Sequence, residues 1–264
     1  MKIVTLMENT SCREDLCFEH GLSLYLETGS HKILFDAGQS AAFADNAQTL
    51  GVDLGNVDFA VLSHGHYDHS GGLGKFLEAN ENAPVYVSRW AFEPHWESDG
   101  RYVGVDLSLQ ANDRIRYVAE ETLLAEGITL FRLETAPMDT AGLLVEENGV
   151  RLPDDFRHEQ YLLLEEADKR ILLSGCSHKG IVAIAEHFRP DILIGGFHYM
   201  RAGEETLRHA AEQLLKQPTI YYTGHCTGDT AFLYLKQHLG NRLHAFRTGD
   251  TIELSTPLCT HVTL

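Results

Sequence analysis

Basic residues are scarce in this chain: 21 lysines and arginines stand against 38 aspartates and glutamates in 264 residues, a formal net charge of -17. A field of that sign repels polyanions, so a nucleic-acid partner is not expected, and a small anionic substrate would need cations gathered locally. Long apolar runs are also missing. No stretch approaches the ~20 consecutive apolar residues that span a bilayer, and the opening "MKIVTLMENTSCRED" turns polar after a few residues. No membrane partner is therefore expected, and the expected compartment is the cytoplasm. Cysteine is sparse: Cys12, Cys17, Cys176, Cys226 and Cys259 make an odd set without the compact spacing of a disulfide framework, which favours reduced thiols. The sequence carries no signal for oligomeric state.

What the chain does contain in quantity is histidine, fifteen in all. With 44% hydrophobic residues it is also long enough for one sizeable core, and a single domain over residues 1–264 is the expectation. Apolar "KILFDAG" reads as a strand closed by Asp36 and Gly38, followed by helical "AAFADNAQTLG" and the strand "DFAVLSHG". Glycine-led "HYDHSGGLGKFLEAN" becomes helical, and "PVYVS" supplies another strand. Residues 89–125 hold both tryptophans and show no clean period, as an insertion bordering a pocket would. Four β-rich runs follow, "GITLFRLE", "TAGLLVEENG", "EQYLLLEE" and "KRILLSGCS". The last third alternates helix and strand, from "KGIVAIAEHF" to the closing "TGDTIEL". The fold class implied is α/β, with two facing sheets and helices outside.

The segment "AVLSHGHYDHSGGLGKF" sets His64, His66, Asp68 and His69 within six positions at a strand end. An extended backbone directs residues two apart to one side, so His64 and His66 share a face, and the turn through Asp68 and His69 brings two further donors close. Imidazole and carboxylate together suit zinc, manganese or iron. A lone histidine here would read as a strand cap; His-x-His-x-Asp-His after an apolar run reads as a metal site.

This "HGHYDHSGG" run resembles the metallo-β-lactamase superfamily, and "LFDAG" upstream is similar to the strand that precedes its histidine motif. Within the superfamily, "SGCSHKGI", "IGGFH" and "TGHCTGD" resemble the branch named for a methanogen dihydropterin-ribofuranosylaminobenzene phosphate synthase. The resemblance implies a four-layer αββα sandwich of two mixed sheets with outer helices, and a site for two divalent metal ions, zinc foremost with manganese or iron as alternatives. It assigns His64 and His66 to the first metal and Asp68, His69 and His225 to the second. Many relatives bridge the metals with a Gly-Asp aspartate, but this chain has Gly175-Cys176 followed by His178. His178 is then the favoured ligand, while Cys176 either ligates one metal as thiolate or packs beneath the site. His158, with Glu159 beside it, falls in a region where many relatives place a ligand.

The implied chemistry is hydrolysis of a small, anionic metabolite by a hydroxide that the metals share, with a phosphoester ahead of a lactone or other ester and a pterin-related synthase as a further alternative. Asp68 would also exchange a proton with the attacking water, and His198, at the end of "DILIGGF", would serve the leaving group. Tyr199, Arg201 and Lys179 are candidates for contacting a substrate oxyanion. His20, His31, His95, His187, His209, His238, His244 and His261 have no companions in sequence and no role assigned. A non-catalytic metal or ligand sensor is the reading from another class, and the intact first motif argues against it.

Overall fold

A computed structural model describes residues 1–135 and 142–254. Among the described residues the strands form two large mixed sheets and one small one. The first sheet contains β1 (Lys2–Met7), β2 (Ser23–Glu27), β3 (Lys32–Phe35), β4 (Phe59–Val61), β5 (Val85–Ser88), β7 (Ile115–Val118) and β17 (Thr251–Glu253), in the order β17-β1-β2-β3-β4-β5-β7. The second contains β8 (Glu121–Ala125), β9 (Ile128–Phe131), β12 (Tyr161–Glu166), β13 (Lys169–Leu173), β14 (Ile192–Ile194), β15 (Ile220–Thr223) and β16 (Leu243–Ala245), in the order β16-β15-β14-β13-β12-β9-β8. Both sheets change character midway. Pairing is antiparallel from β17 to β3 and from β8 to β13, and parallel from β3 to β7 and from β13 to β16.

Side-chain alternation explains the layering. In β3, Ile33 and Phe35 join Leu162, Leu164, Ile171 and Leu173 in the core between the sheets. Leu34 points the other way, into a core with Phe43 of helix α1 (Ala42–Thr49) and Phe76 of helix α3 (Leu73–Ala79), which follows the one-turn helix α2 (Tyr67–Ser70). The second sheet repeats the arrangement with helices α4 (Ile181–Phe188), α5 (Glu204–Leu214) and α6 (Asp229–Leu239), whose Ile184, Ala211 and Leu235 pack on Leu172 and Leu193. Strands buried on both faces read as continuous apolar runs, and each fully buried aliphatic or aromatic side chain contributes about 1.5–3 kcal/mol. Four layers result, helix, sheet, sheet, helix, as expected for the fold class.

Residues 89–125 are more ordered than their aperiodic sequence suggests. Ile115–Val118 closes the edge of the first sheet, Glu121–Ala125 the edge of the second, and β6 (His95–Glu97) pairs with β10 (Leu143–Glu147). A further strand, β11 (Val150–Pro153), completes a small sheet of order β11-β10-β6. The run "TAGLLVEENG" thus joins neither large sheet, and its Thr140 and Ala141 lie outside the described residues. The small sheet is tied to the histidine motif by backbone: Tyr67 N–H donates to Val103 O at 2.9 Å, and His66 bridges to Gly104. No helix among the described residues is long and apolar enough to cross a membrane.

Candidate metal centre

The site lies where parallel-paired strands of both sheets end, the position at which open α/β sheets present ligand groups. Asp36 follows β3 and His64 follows β4; Cys176 and His178 follow β13, His198 follows β14 and His225 follows β15. The two sheets approach closely here because of Gly175, where a Cβ would stand 2.2 Å from Ser63 Oγ and 2.9 Å from His64 Nδ1. Asp36, Ser177, His198 and His225 all have positive φ, at 59°, 58°, 54° and 51°. Such backbone costs on the order of 1–3 kcal/mol per residue and persists only where surrounding bonds hold it. Here Glu8 Oε1 accepts the His225 N–H at 2.7 Å, and Asp36 Oδ1 accepts the Ser63 N–H at 2.7 Å.

Hydrogen bonds set the tautomers of three histidines. Ser63 Oγ donates its one hydrogen to Asp36 Oδ2 at 2.7 Å, so toward His64 Nδ1, 2.8 Å away, it can only accept. His64 therefore carries its proton on Nδ1. His69 Nδ1 donates to Asp36 Oδ2 at 2.6 Å, and His225 Nδ1 donates at 3.0 Å to Asn9 Oδ1, which also accepts the Gly21 N–H. In each case Nε2 is turned toward the centre. Such partners on the far side of the ring orient histidines that bind metals.

What those nitrogens meet is informative. His64 Nε2, His66 Nε2 and both ring nitrogens of His178 are buried without a hydrogen-bond partner. An unsatisfied buried polar group costs about 1–3 kcal/mol, so those of His64 and His178 at one place call for a ligand, while His66 Nε2 faces Asp154 Oδ2 at 4.0 Å. His69 Nε2 lies 3.2 Å from His225 Nε2 and 3.2 Å from Cys176 Sγ, and His225 Nε2 lies 3.3 Å from Asp68 Oδ2. Three groups follow, Asp68, His69, Cys176 and His225 in one, His64, Cys176 and His178 in the second, and His66 with His95, Asp154 and His158 in the third, each with donor atoms within 4.8 Å of one another. Histidines with a carboxylate and a thiol suit a divalent cation such as zinc. Cys176 belongs to the first two groups, and its Sγ lies 3.2 Å from His69 Nε2.

Electrostatics separate the clusters. Burial first, then neighbouring imidazoles, pushes His64, His66 and His178 well below the usual histidine range, so they are neutral as ligands must be. Burial also brings His225 down to about 4. Burial opposes ionisation of Asp68, yet His69, His20 and His225 hold it well below the usual carboxylate range. At His69 burial acts downward but Asp36 and Asp68 prevail and lift it to about 9. Burial raises the Cys176 thiol well above the usual thiol range.

One prediction follows from His69. Protonated below about pH 9 in the metal-free protein, it must lose that proton to ligate, so cation affinity should fall as pH falls. Titration calorimetry at neutral pH in buffers of different ionisation heat should show about one proton released per filled second site, and about two if Cys176 binds as thiolate. Heats independent of the buffer would rule out His69 as a ligand.

Beside the clusters opens a cavity of about 460 Å³, lined among others by His20, Asp68, Arg101, His178, His198 and Arg201. Arg101 is held by Glu97 and lies 5.6 Å over the Tyr67 ring, whereas Arg201 stands exposed on another part of the lining. The His198 ring is 4.3 Å from that of His178. Two expected substrate contacts are corrected. Lys179 donates to the carbonyls of Thr135 and Asp155 at 2.7 and 2.6 Å, tying loops together, and Tyr199 is buried in the core beneath α4 to α6. Glu159 accepts the N–H groups of His178 and Lys179 and the Tyr161 hydroxyl, so it shapes the turn that carries His178.

Sequence reasoning missed several neighbours. His20 Nε2 lies 3.3 Å from Asp68 Oδ2 with its ring 4.7 Å from that of His225, and Glu8 and Asn9 orient His225. His95 is buried against Asp154. None carries a motif that would have singled it out. His31, His187, His209, His238 and His244 line neither the clusters nor the cavity, and His261 and Cys259 lie outside the described residues. The other four cysteines are free.

The profile of the Metallo-beta-lactamase superfamily matches residues 18–225. The chain belongs to the metallo-β-lactamase superfamily. The crystal structure of Tm1679, described as a metal-dependent hydrolase of the beta-lactamase superfamily, superposes with a TM-score of 0.84 at 28% identity, over 97% of this chain and 99% of that one. In Methanocaldococcus jannaschii, the 7,8-dihydropterin-6-methyl-4-(beta-D-ribofuranosyl)-aminobenzene-5'-phosphate synthase is 29% identical over 93% of this chain and 95% of its own length. MJ0448, an uncharacterized protein of the same organism, is 29% identical over 89% of this chain and 94% of its own. The metallo-β-lactamase fold and the histidine and aspartate clusters together suit divalent metal binding.

Proposed function

We propose that this metallo-β-lactamase relative is a hydrolase that holds two divalent cations, zinc foremost with manganese or iron as alternatives, and acts on a small anionic metabolite, a phosphoester ahead of a lactone or other ester. The observation that carries this reading is the set of buried, unpartnered imidazole nitrogens of His64 and His178 beside the Asp68, His69 and His225 group, adjoining one cavity. Cations held there would activate water and offset charge developing on the substrate. His64, His66 and His178 would hold the first; Asp68, His69 and His225 would hold the second, with Cys176 between them.

The chain's own residues supply the rest. Asp68, ionised between His20, His69 and His225, is the proton acceptor. His198, on the cavity wall beside His178, delivers a proton to the leaving group. In a chain of net charge -17, Arg201, exposed on the lining, is the local cation that an anionic substrate needs, with Arg101 beside it paired to Glu97. A pterin-related synthase is the second reading, favoured by the near full-length similarity to the Methanocaldococcus jannaschii synthase.

Elemental analysis of the purified chain, followed by assay against phosphoesters, lactones, thioesters and dihydropterin phosphates, tests the proposal. Two cations per chain and phosphoester turnover abolished by a chelator are expected. Cations without turnover of any compound would favour the sensor, and absence of bound cation after reloading would end the metal reading.

A further inference from the structure

Asp154, immediately after β11 of the small sheet, is almost fully buried and central to a cluster with His66, His95 and His158. Its Oδ1 accepts the Phe156 N–H at 2.7 Å. Its Oδ2 lies 2.8 Å from His95 Nδ1, 3.3 Å from His158 Nε2 and 4.0 Å from His66 Nε2. By composition these four residues resemble another cation site. One hydrogen bond decides otherwise. The Gly65 N–H, between the two histidines of the motif, donates to His158 Nδ1 at 2.8 Å, so that nitrogen is unprotonated and the neutral ring carries its proton on Nε2, aimed at Asp154. With one lone pair spent on Gly65 and the other nitrogen donating, His158 has nothing left for a metal. His95 donates from Nδ1 to the same oxygen, and its buried Nε2 has no hydrogen-bond partner.

We infer that Asp154, supported by His95 and His158, is a positioning residue for His66. The carboxylate faces His66 Nε2, which is buried and has no hydrogen-bond partner. A negative charge there favours the tautomer that keeps the proton on Nε2 and leaves Nδ1 as the donor to a cation. The arrangement also assigns work to the small sheet. β6 supplies His95 and the end of β11 supplies Asp154, so the segments that border the cavity also orient a residue of the metal motif. His158 acts from the same side by fixing Gly65. The inference rests on the proposal that the first site holds a cation.

The test uses the full chain stripped with a chelator and reloaded with Co²⁺, in wild type, Asp154→Asn and His95→Gln. Affinity is read by competition with a metal-binding dye, ligand geometry by the visible Co²⁺ absorption. Removing such a partner typically weakens metal binding about 10–100-fold. Asp154→Asn, which keeps the shape and removes the charge, is expected to weaken one of two Co²⁺ equivalents by that factor and alter its absorption, leaving the other unchanged. His95→Gln should shift the same equivalent by less. Thermal unfolding of the metal-free variants separates these effects from misfolding. Two equivalents bound by Asp154→Asn with wild-type affinity and spectrum would overturn the inference alone, and so would loss of both equivalents. A third equivalent in wild type, lost in His95→Gln, would make the cluster a cation site. Wild type that takes up no Co²⁺ would overturn the metal reading itself.

Discussion

Replacing His64 with alanine should lower turnover at least roughly 1000-fold while leaving a cooperatively folded protein. Each factor of ten in rate corresponds to about 1.4 kcal/mol, and a metal that polarises substrate and activates water supplies several. His64 has no alternative use for its Nε2, which is buried and unpartnered, and its Nδ1 is spent on Ser63. Removing the ring takes away a donor that nothing nearby replaces, since His178 belongs to the same cluster already. The stability cost should be modest. The imidazole sits at the strand ends rather than between the sheets, and loss of its bond to Ser63 costs about 1–3 kcal/mol. Rate, bound cation and thermal unfolding should be measured on the same preparation, with metal-free wild type as the reference. A variant that keeps turnover within tenfold of wild type would refute a role for His64 in the reaction. Loss of cooperative unfolding in the metal-free wild type would show instead that the cation is structural.

The second large effect separates His178 from Cys176. In place of a bridging carboxylate the chain offers a thiol that belongs to two donor groups and a histidine that belongs to one. His178→Ala should lose the first cation, because only His64, His66 and the shared Cys176 would remain to hold it. Its ring stacks on Phe156 at 4.1 Å and 2°, so the position is fixed and neighbouring residues cannot swing into it. Cys176→Ser should keep the first cation and hold the second about 10–100-fold more weakly, since oxygen is a poorer donor than thiolate for zinc while Asp68, His69 and His225 persist. Mild oxidation of wild type should mimic this loss. Bound metal per chain decides the matter: cation lost from Cys176→Ser and fully retained by His178→Ala would reverse the assignment of His178.

Much of the fold was legible because its signals are local. "ILF", "FAV", "YLLL" and "ILI" are buried on both faces and so run apolar without a break, and "AAFADNAQTLG" and "EETLRHAAEQLLKQ" repeat at helical spacing. Residues 89–125 were not legible because their strands are short and pair with different sheets; Ile115–Val118 gains its partner, β5, only once the chain has folded back. The substrate-contacting roles expected of Lys179 and Tyr199 failed for a related reason. Proximity in sequence placed them near the site, but their side chains point to loop carbonyls and to the helical layer.

By itself, then, the sequence determined that four metal-capable side chains gather at one strand end, because His64, His66, Asp68 and His69 are neighbours on the backbone and need no distant partner to be recognised. Tertiary structure decided what surrounds them. Asn9 meets His225 across 216 positions, His158 meets Gly65 across 93, and Asp154 meets His95 across 59. Each is a single polar residue with no periodicity or spacing to mark it, and its role arises from one hydrogen bond that forms only when segments remote in the chain meet. A local pattern can therefore name donors to a metal, while the tautomer, the orientation and the place of Cys176 in two donor groups depend on contacts between segments remote in the chain, which no local pattern records.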